Sequence, residues 1–275
     1  MKFIHKITHL LSIEWLKAKY STLFWVILGG FTVLFSIGIL YSKKVVPFAS
    51  PPLPSLSTFL EFPTIWDYQG HIGNWLVCVL LGFLMINSIT SEIGYKTMRQ
   101  NIIDGLTKDD FLLGKAAFAV CLATFATLIY TFSTIVIGFA HTNDVDFTLI
   151  FDTNGLVARF WLMSIGYLTI AGFIAFGVKR SGLSYILYFA YIFLIEFGIR
   201  MLQLYYFKSR AMLFYPINVI EDLVPNPLLK MPNVFLEKEW GFSAILEPWE
   251  ALITALIYIS IVIWLTRYLM LKRDI

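Results

Sequence analysis

The stretch "AAFAVCLATFATLIYTFSTIVIGFA", Ala116 to Ala140, contains no charged residue. At a rise of about 1.5 Å per residue, a helix of this length more than crosses the ~30 Å hydrocarbon layer of a bilayer. Other runs on both sides meet or approach the same length: Leu23 to Tyr41, Ile72 to Ile89, Leu156 to Val178, Leu183 to Ile199 and Pro248 to Leu271. Composition agrees, since 58% of the 275 residues are apolar and 14% charged, where a soluble domain carries about one quarter charge. The expected fold class is an all-α integral membrane protein with six transmembrane helices.

Residues 1–21 precede the first run and have a different pattern. Phe3, Ile4, Ile7, Leu10, Leu11 and Trp15 share one side of a 3.6-residue wheel, and Lys2, His5, Lys6, His9 and Ser12 lie opposite. This predicts an amphipathic helix lying in the membrane interface. Glu14 sits inside the apolar arc, which leaves two fates for its carboxylate: it reaches the headgroups, or it meets a protein partner.

Charge distribution orients the chain. With the N-terminus in the cytoplasm, 13 of the 21 Lys and Arg fall on the inner side, as the positive-inside rule requires. The acids run the other way, and the 141–155 loop holds Asp144, Asp146 and Asp152 with no Lys or Arg. Both termini are therefore expected inside, the last four residues, 272–275, forming a cytoplasmic tail. Residues 22–271 form one transmembrane domain. The tight turn "KRSG" after Val178 makes the fourth and fifth runs antiparallel neighbours. The external loop from Ser42 to His71 is rich in proline. A longer external insertion, 200–247, mixes prolines, acids and apolar clusters too short to span, and predicts short surface or re-entrant helices before the last span.

Between the second and third runs lies a polar hairpin, "SEIGYKTMRQNIIDGLTKDDFLLGK", Ser91 to Lys115. Tyr95, Met98 and Ile102 recur at helical spacing, which predicts one helix extending inward from the second span. Gly105 ends it, and Thr107 with Asp110 three residues later predicts an N-terminal cap for a helix running into the third span. Both arms would then be continuous with membrane helices.

In these residues the chain resembles the permease subunits of ABC-2 type ABC transporters. That family has an elbow helix with an acid and a lysine, matched by Glu14 and Lys17. After the second span it has a glutamate, a glycine, a threonine and a later glycine-lysine, matched by Glu92, Gly94, Thr97, Gly114 and Lys115. Where the family often has a proline and a serine-arginine pair, this chain has Thr107-Lys108. The resemblance implies a coupling helix seated on a separate ATPase, with Glu92, Gly94, Thr97, Arg99, Asp104, Gly105, Thr107, Lys108 and Lys115 as the coupling residues. It also implies a dimer of permease subunits in a bacterial cytoplasmic membrane, working as an exporter, with ATP and Mg²⁺ held by the partner. An alternative is a scaffold that anchors such an ATPase without transporting anything.

The chain lacks the G-x-x-x-x-G-K-[ST] pattern that cradles phosphates, because Lys115 is followed by Ala116. No nucleic-acid partner, metal or catalytic group is expected. Glu196 has no second acid in its run, and none of the four histidines falls in a hydrophobic core, so an intramembrane hydrolase lacks its acid–base pair. His5 and His9 have a metal-ligand spacing without a third ligand. Cys78 and Cys121 are expected to be packing residues. Glu196, about 10 Å below the outer surface, is expected to form an ion pair with Arg200 or Arg159, with contact to a substrate as the other reading.

Overall fold

The computed structural model describes residues 2–41, 59–142, 148, 150, 155–227, 237 and 240–272. Asp144, Asp146, Asp152, most of the proline-rich loop, part of the external insertion and residues 273–275 lie outside the described residues. Among those described there is no strand. The elements are α1 (Lys2–Lys19), α2 (Thr22–Tyr41), α3 (Ile65–Gly94), α4 (Thr97–Ile103), α5 (Lys108–His141), α6 (Leu156–Val178), α7 (Ser181–Phe207), α8 (Pro216–Asp222) and α9 (Pro248–Lys272). Helices α3, α5, α6, α7 and α9 are each long and apolar enough to cross a membrane. Helices α1 and α2 meet at a bend of 90° and supply a sixth if counted as one span.

The long helices exceed the apolar runs that predicted them. Helix α3 begins at Ile65, ahead of the expected Ile72, because Asp67, Gln69 and His71 lower the hydropathy of turns that tertiary packing nevertheless partly buries, as it does Asn74 further on. Gln69 is 1% exposed and Asn74 2%. Helix α7 runs on to Phe207, so residues 200–207 belong to it and not to an external insertion. Both contain a five-residue π-helical segment, Val77–Leu81 and Tyr191–Ile195.

Helix α6 is the centre of the bundle, packed against α3, α5, α7, α8 and α9. In lipid, apolar contact between helices has little hydrophobic drive, so close fit decides which faces meet. The fit here sets glycine against aromatic rings. At Gly73 even a Cβ would collide with Phe35 and Phe160. Phe160 in turn stacks on Tyr130 with centroids 4.4 Å apart, and Tyr130 donates to the carbonyl of Trp66 at 2.8 Å.

The segment from Arg210 to Val224 folds back into the bundle. A 3-10 turn, Arg210–Phe214, leads into α8, which is buried along almost its whole length against α6 and α9. Ile220 of α8 packs where a side chain at Gly166 would lie, ten residues into α6. The expected short helices before the last span are therefore present, and they are core rather than cover.

Candidate functional site

Helix α1 presents Leu10, Glu14 and Ala18 to α5, and these are its most buried described residues. Ile4 and Trp15, expected on the apolar face, remain about half exposed or more. The carboxylate of Glu14 therefore has the second of its two fates, a protein partner. That partner is Lys115, about two turns inside α5 and 1% exposed.

The Lys115 ammonium donates to Glu14 Oε2 at 2.6 Å, to the Ser88 hydroxyl at 2.8 Å, to the Ser88 carbonyl at 3.0 Å and to Glu92 Oε1. Lys17 donates to Glu14 Oε1 at 2.9 Å and to Glu92 Oε2 at 2.8 Å. Each acid thus bridges both lysines, and the four side chains close into a ring with no net charge. The Phe111 ring lies 5.6 Å from the Lys115 nitrogen and 5.9 Å from that of Lys17, within cation–π range. Burying this many charges is tolerable only because every one is paired and hydrogen-bonded. Lys17, whose side chain is 32% exposed, forms the wetter edge. Beside it opens a cavity of about 400 Å³ lined by Asn87, Ser91, Tyr95 and Thr97.

The ring joins α1, the end of α3 and the start of α5. The expected single helix from the second span into the hairpin is not what forms. Helix α3 stops at Gly94, Lys96 adopts the left-handed conformation at φ 61°, and α4 starts afresh at Thr97. The spacing argument failed at Tyr95, which is 82% exposed while Met98 is buried. The Thr97 hydroxyl ties the two pieces by donating to the Glu92 carbonyl at 3.2 Å. The second arm is as predicted: Gly105 turns the chain at φ 108°, and Thr107 and Asp110 form a reciprocal cap on α5.

The nominated hairpin residues therefore separate into two groups. Glu92 and Lys115 are in the buried ring. Gly94, Thr97, Arg99, Asp104, Gly105 and Thr107 are exposed, and Lys108 is half-buried with its ammonium 3.5 Å from the Leu271 carbonyl. Gly94 has open space where a Cβ would stand, so packing does not require it.

A second set of charges was missed by sequence reasoning. Asp109 receives Arg267 of α9 through two nitrogens, at 2.8 and 3.2 Å, and Asp110 pairs with Lys6 of α1. The first turn of α5 is thus gripped by the N-terminal and the last helices, with acids where the helix dipole favours them. The signal in the sequence was the acid pair opening a capped helix; its partners, in remote segments, left none.

Glu196 does not form the expected ion pair. It is buried at 2% exposure and accepts from the backbone N–H groups of Ile217 at 3.0 Å and Asn218 at 2.9 Å, capping α8 from another helix. Arg200 instead approaches Glu221 at 3.8 Å. Arg159, also buried, has Asp67 and Tyr130 as its charged and polar neighbours. The carboxylate satisfied its charge on free helix-start N–H groups, an option invisible until α8 folded back.

Asp222, at the other end of α8, accepts from the Leu246 N–H and the Asn218 side-chain amide, both at 3.0 Å. His5 and His9 are exposed on α1, and Cys78 is buried and Cys121 exposed, both as free thiols. No protein-family model matches the chain, and a search of curated proteins finds no match either.

Proposed function

We propose that the protein is the permease subunit of an ATP-driven ABC-type exporter, passing the movement of a partner ATPase into its membrane helices. The observation that carries this reading is the ring of Glu14, Lys17, Glu92 and Lys115. It fastens the interfacial helix, the end of one span and the start of the next into one body directly behind an exposed polar tip. A force on that tip would move α1, α3 and α5 together. The additional grips of Lys6 and Arg267 on α5 extend the same body to the last helix.

In this reading the chain has six spans, with α1 lying in the interface and both termini in the cytoplasm of a bacterial cell. Two permease subunits assemble with two ATPases, which bind ATP and Mg²⁺. Arg99, Asp104 and Thr107 belong to the docking surface, whereas Glu92 and Lys115 transmit and do not dock.

A photoreactive residue in place of Arg99 tests this. It should cross-link, in native membranes, to a protein bearing an ATP-binding cassette, and the cross-link should change when nucleotide is added. A cross-link yield that nucleotide leaves unaltered, or cross-links only to lipid, would remove the reading.

A further inference from the structure

Between α6, α7 and α9 runs a groove of about 400 Å³, within the range of small-molecule sites. Its closed end is Pro216 and Ile220 of the folded-back segment, beneath which lie Tyr191 and Tyr258. Its open end is Gly177 and Val178, the last turn of α6. From Gly166 to Val178 the lining spans about 18 Å of helix rise, close to the ~15 Å hydrocarbon depth of one leaflet.

Two of the three hydroxyls along the groove are already engaged. The Tyr258 hydroxyl donates to the Phe214 carbonyl at 2.6 Å, and the Thr169 hydroxyl to the Ile165 carbonyl at 2.7 Å. The occupant must therefore be apolar over this depth. Lys179 and Arg180 follow directly at the mouth, half-buried and exposed, and neither takes part in a described ion pair. A chain one leaflet long with a negative group at its end matches both features.

We infer that this groove holds one acyl chain of an anionic phospholipid from the leaflet on the Lys179 side, its phosphate drawn to Lys179 and Arg180. The mouth is open at Gly177, where a Cβ would meet no atom within 4 Å, so a bulky side chain placed there would enter it. The folded-back segment sets the depth, because Ile220 fills the space over Gly166. The site stands whether or not the chain couples to an ATPase.

The test uses the full chain in nanodiscs containing phosphatidylglycerol with a photoreactive group at the acyl terminus. Labelling should concentrate on Ile170, Phe173 and Ile220. Gly177→Phe should reduce it several-fold, and so should Lys179→Asn with Arg180→Gln, asparagine being chosen to tolerate the φ of 62° at that position. A photoreactive phosphatidylcholine should label the same residues less. Even labelling of all lipid-facing residues of the wild-type chain overturns the proposal without recourse to variants. So does labelling that Gly177→Phe leaves unchanged, or a loss explained by altered subunit assembly, which would make the groove an interface between copies.

Discussion

Lys115 illustrates how much a single side chain can hold. It has negative oxygens on two sides and a hydroxyl and carbonyl on a third, in a site almost without solvent. Lys115→Met leaves Glu14 and Glu92 facing each other with only the half-exposed Lys17 between them. Breaking a buried pair in this way costs on the order of 3 to 5 kcal/mol. Folded yield in detergent should fall sharply, and the double variant Lys115→Met with Glu92→Gln, which restores neutrality, should recover much of it. Equal yields for the single and double variants would show that the ring is not held by charge. Glu196 offers the contrast of a buried acid without a cationic partner. Glu196→Ala strands two N–H groups of α8 and should cost about 1 to 2 kcal/mol, as for a lost N-cap. Glu196→Gln keeps an acceptor oxygen and should cost less. Amide exchange at Ile217 and Asn218 reads this directly, and faster exchange confined to Glu196→Ala is the expected result.

Helices α3 and α7 meet beside the irregular segment of α3. The Tyr188 hydroxyl donates to the Cys78 carbonyl at 3.1 Å, inside the π-helical part of α3, and lies where a side chain on Gly82 would stand. Phe83 and Tyr185 stack at 4.1 Å just beyond. Gly82→Ala must therefore displace the hydroxyl, and thermal unfolding in detergent should register a loss that Tyr188→Phe partly repairs. Independence of the two substitutions would rule out this contact as the reason for glycine. Helix α8 has its own pH dependence. Burial pushes Asp222 from its usual 3.8 up to about 7, against the pull of the Leu246 N–H and Arg200. Burial pushes Glu221 up to about 7 in the same way, with Arg200 opposing. Because the folded state binds these protons more tightly than the unfolded chain, their contribution is full below the usual carboxylate values and is lost as pH rises through about 7. The midpoint of unfolding should drop between pH ~5 and ~8, and Asp222→Asn should reduce that slope without removing Glu221's share. A slope unchanged in Asp222→Asn would place the dependence elsewhere.

Orientation is a property of the whole chain. The basic residues gather at the hairpin end, and the proposed topology places Asp104 inside and Lys208 outside. Cysteines at these two positions should react with an impermeant maleimide from opposite sides of sealed cells, Lys208→Cys from outside and Asp104→Cys only after permeabilisation. Reaction of both from outside would invert or break the arrangement.

Much of this architecture was readable because membrane spanning imposes a local rule. A helix in hydrocarbon must satisfy its own backbone and be apolar over about 20 residues, so the stretch from Ala116 to Ala140 announces itself without reference to any other segment. The same locality made the Thr107–Asp110 cap and the Gly105 turn legible. The extension of α3 through Asp67 and Gln69 was not, because Gln69 is buried by packing that its own segment does not encode. The ring is the clearest case. Glu14, Glu92 and Lys115 could each be nominated singly, by resemblance and by position, yet Glu14 is 101 residues from Lys115, and Lys17 is 75 from Glu92. A charge in a greasy sequence declares that it needs a partner; which partner depends on how helices dock. For Glu196 the docking of α8 supplied backbone N–H groups in place of an arginine, and for Glu14 and Glu92 the docking of α1 against α3 and α5 closed four separate charges into one neutral ring.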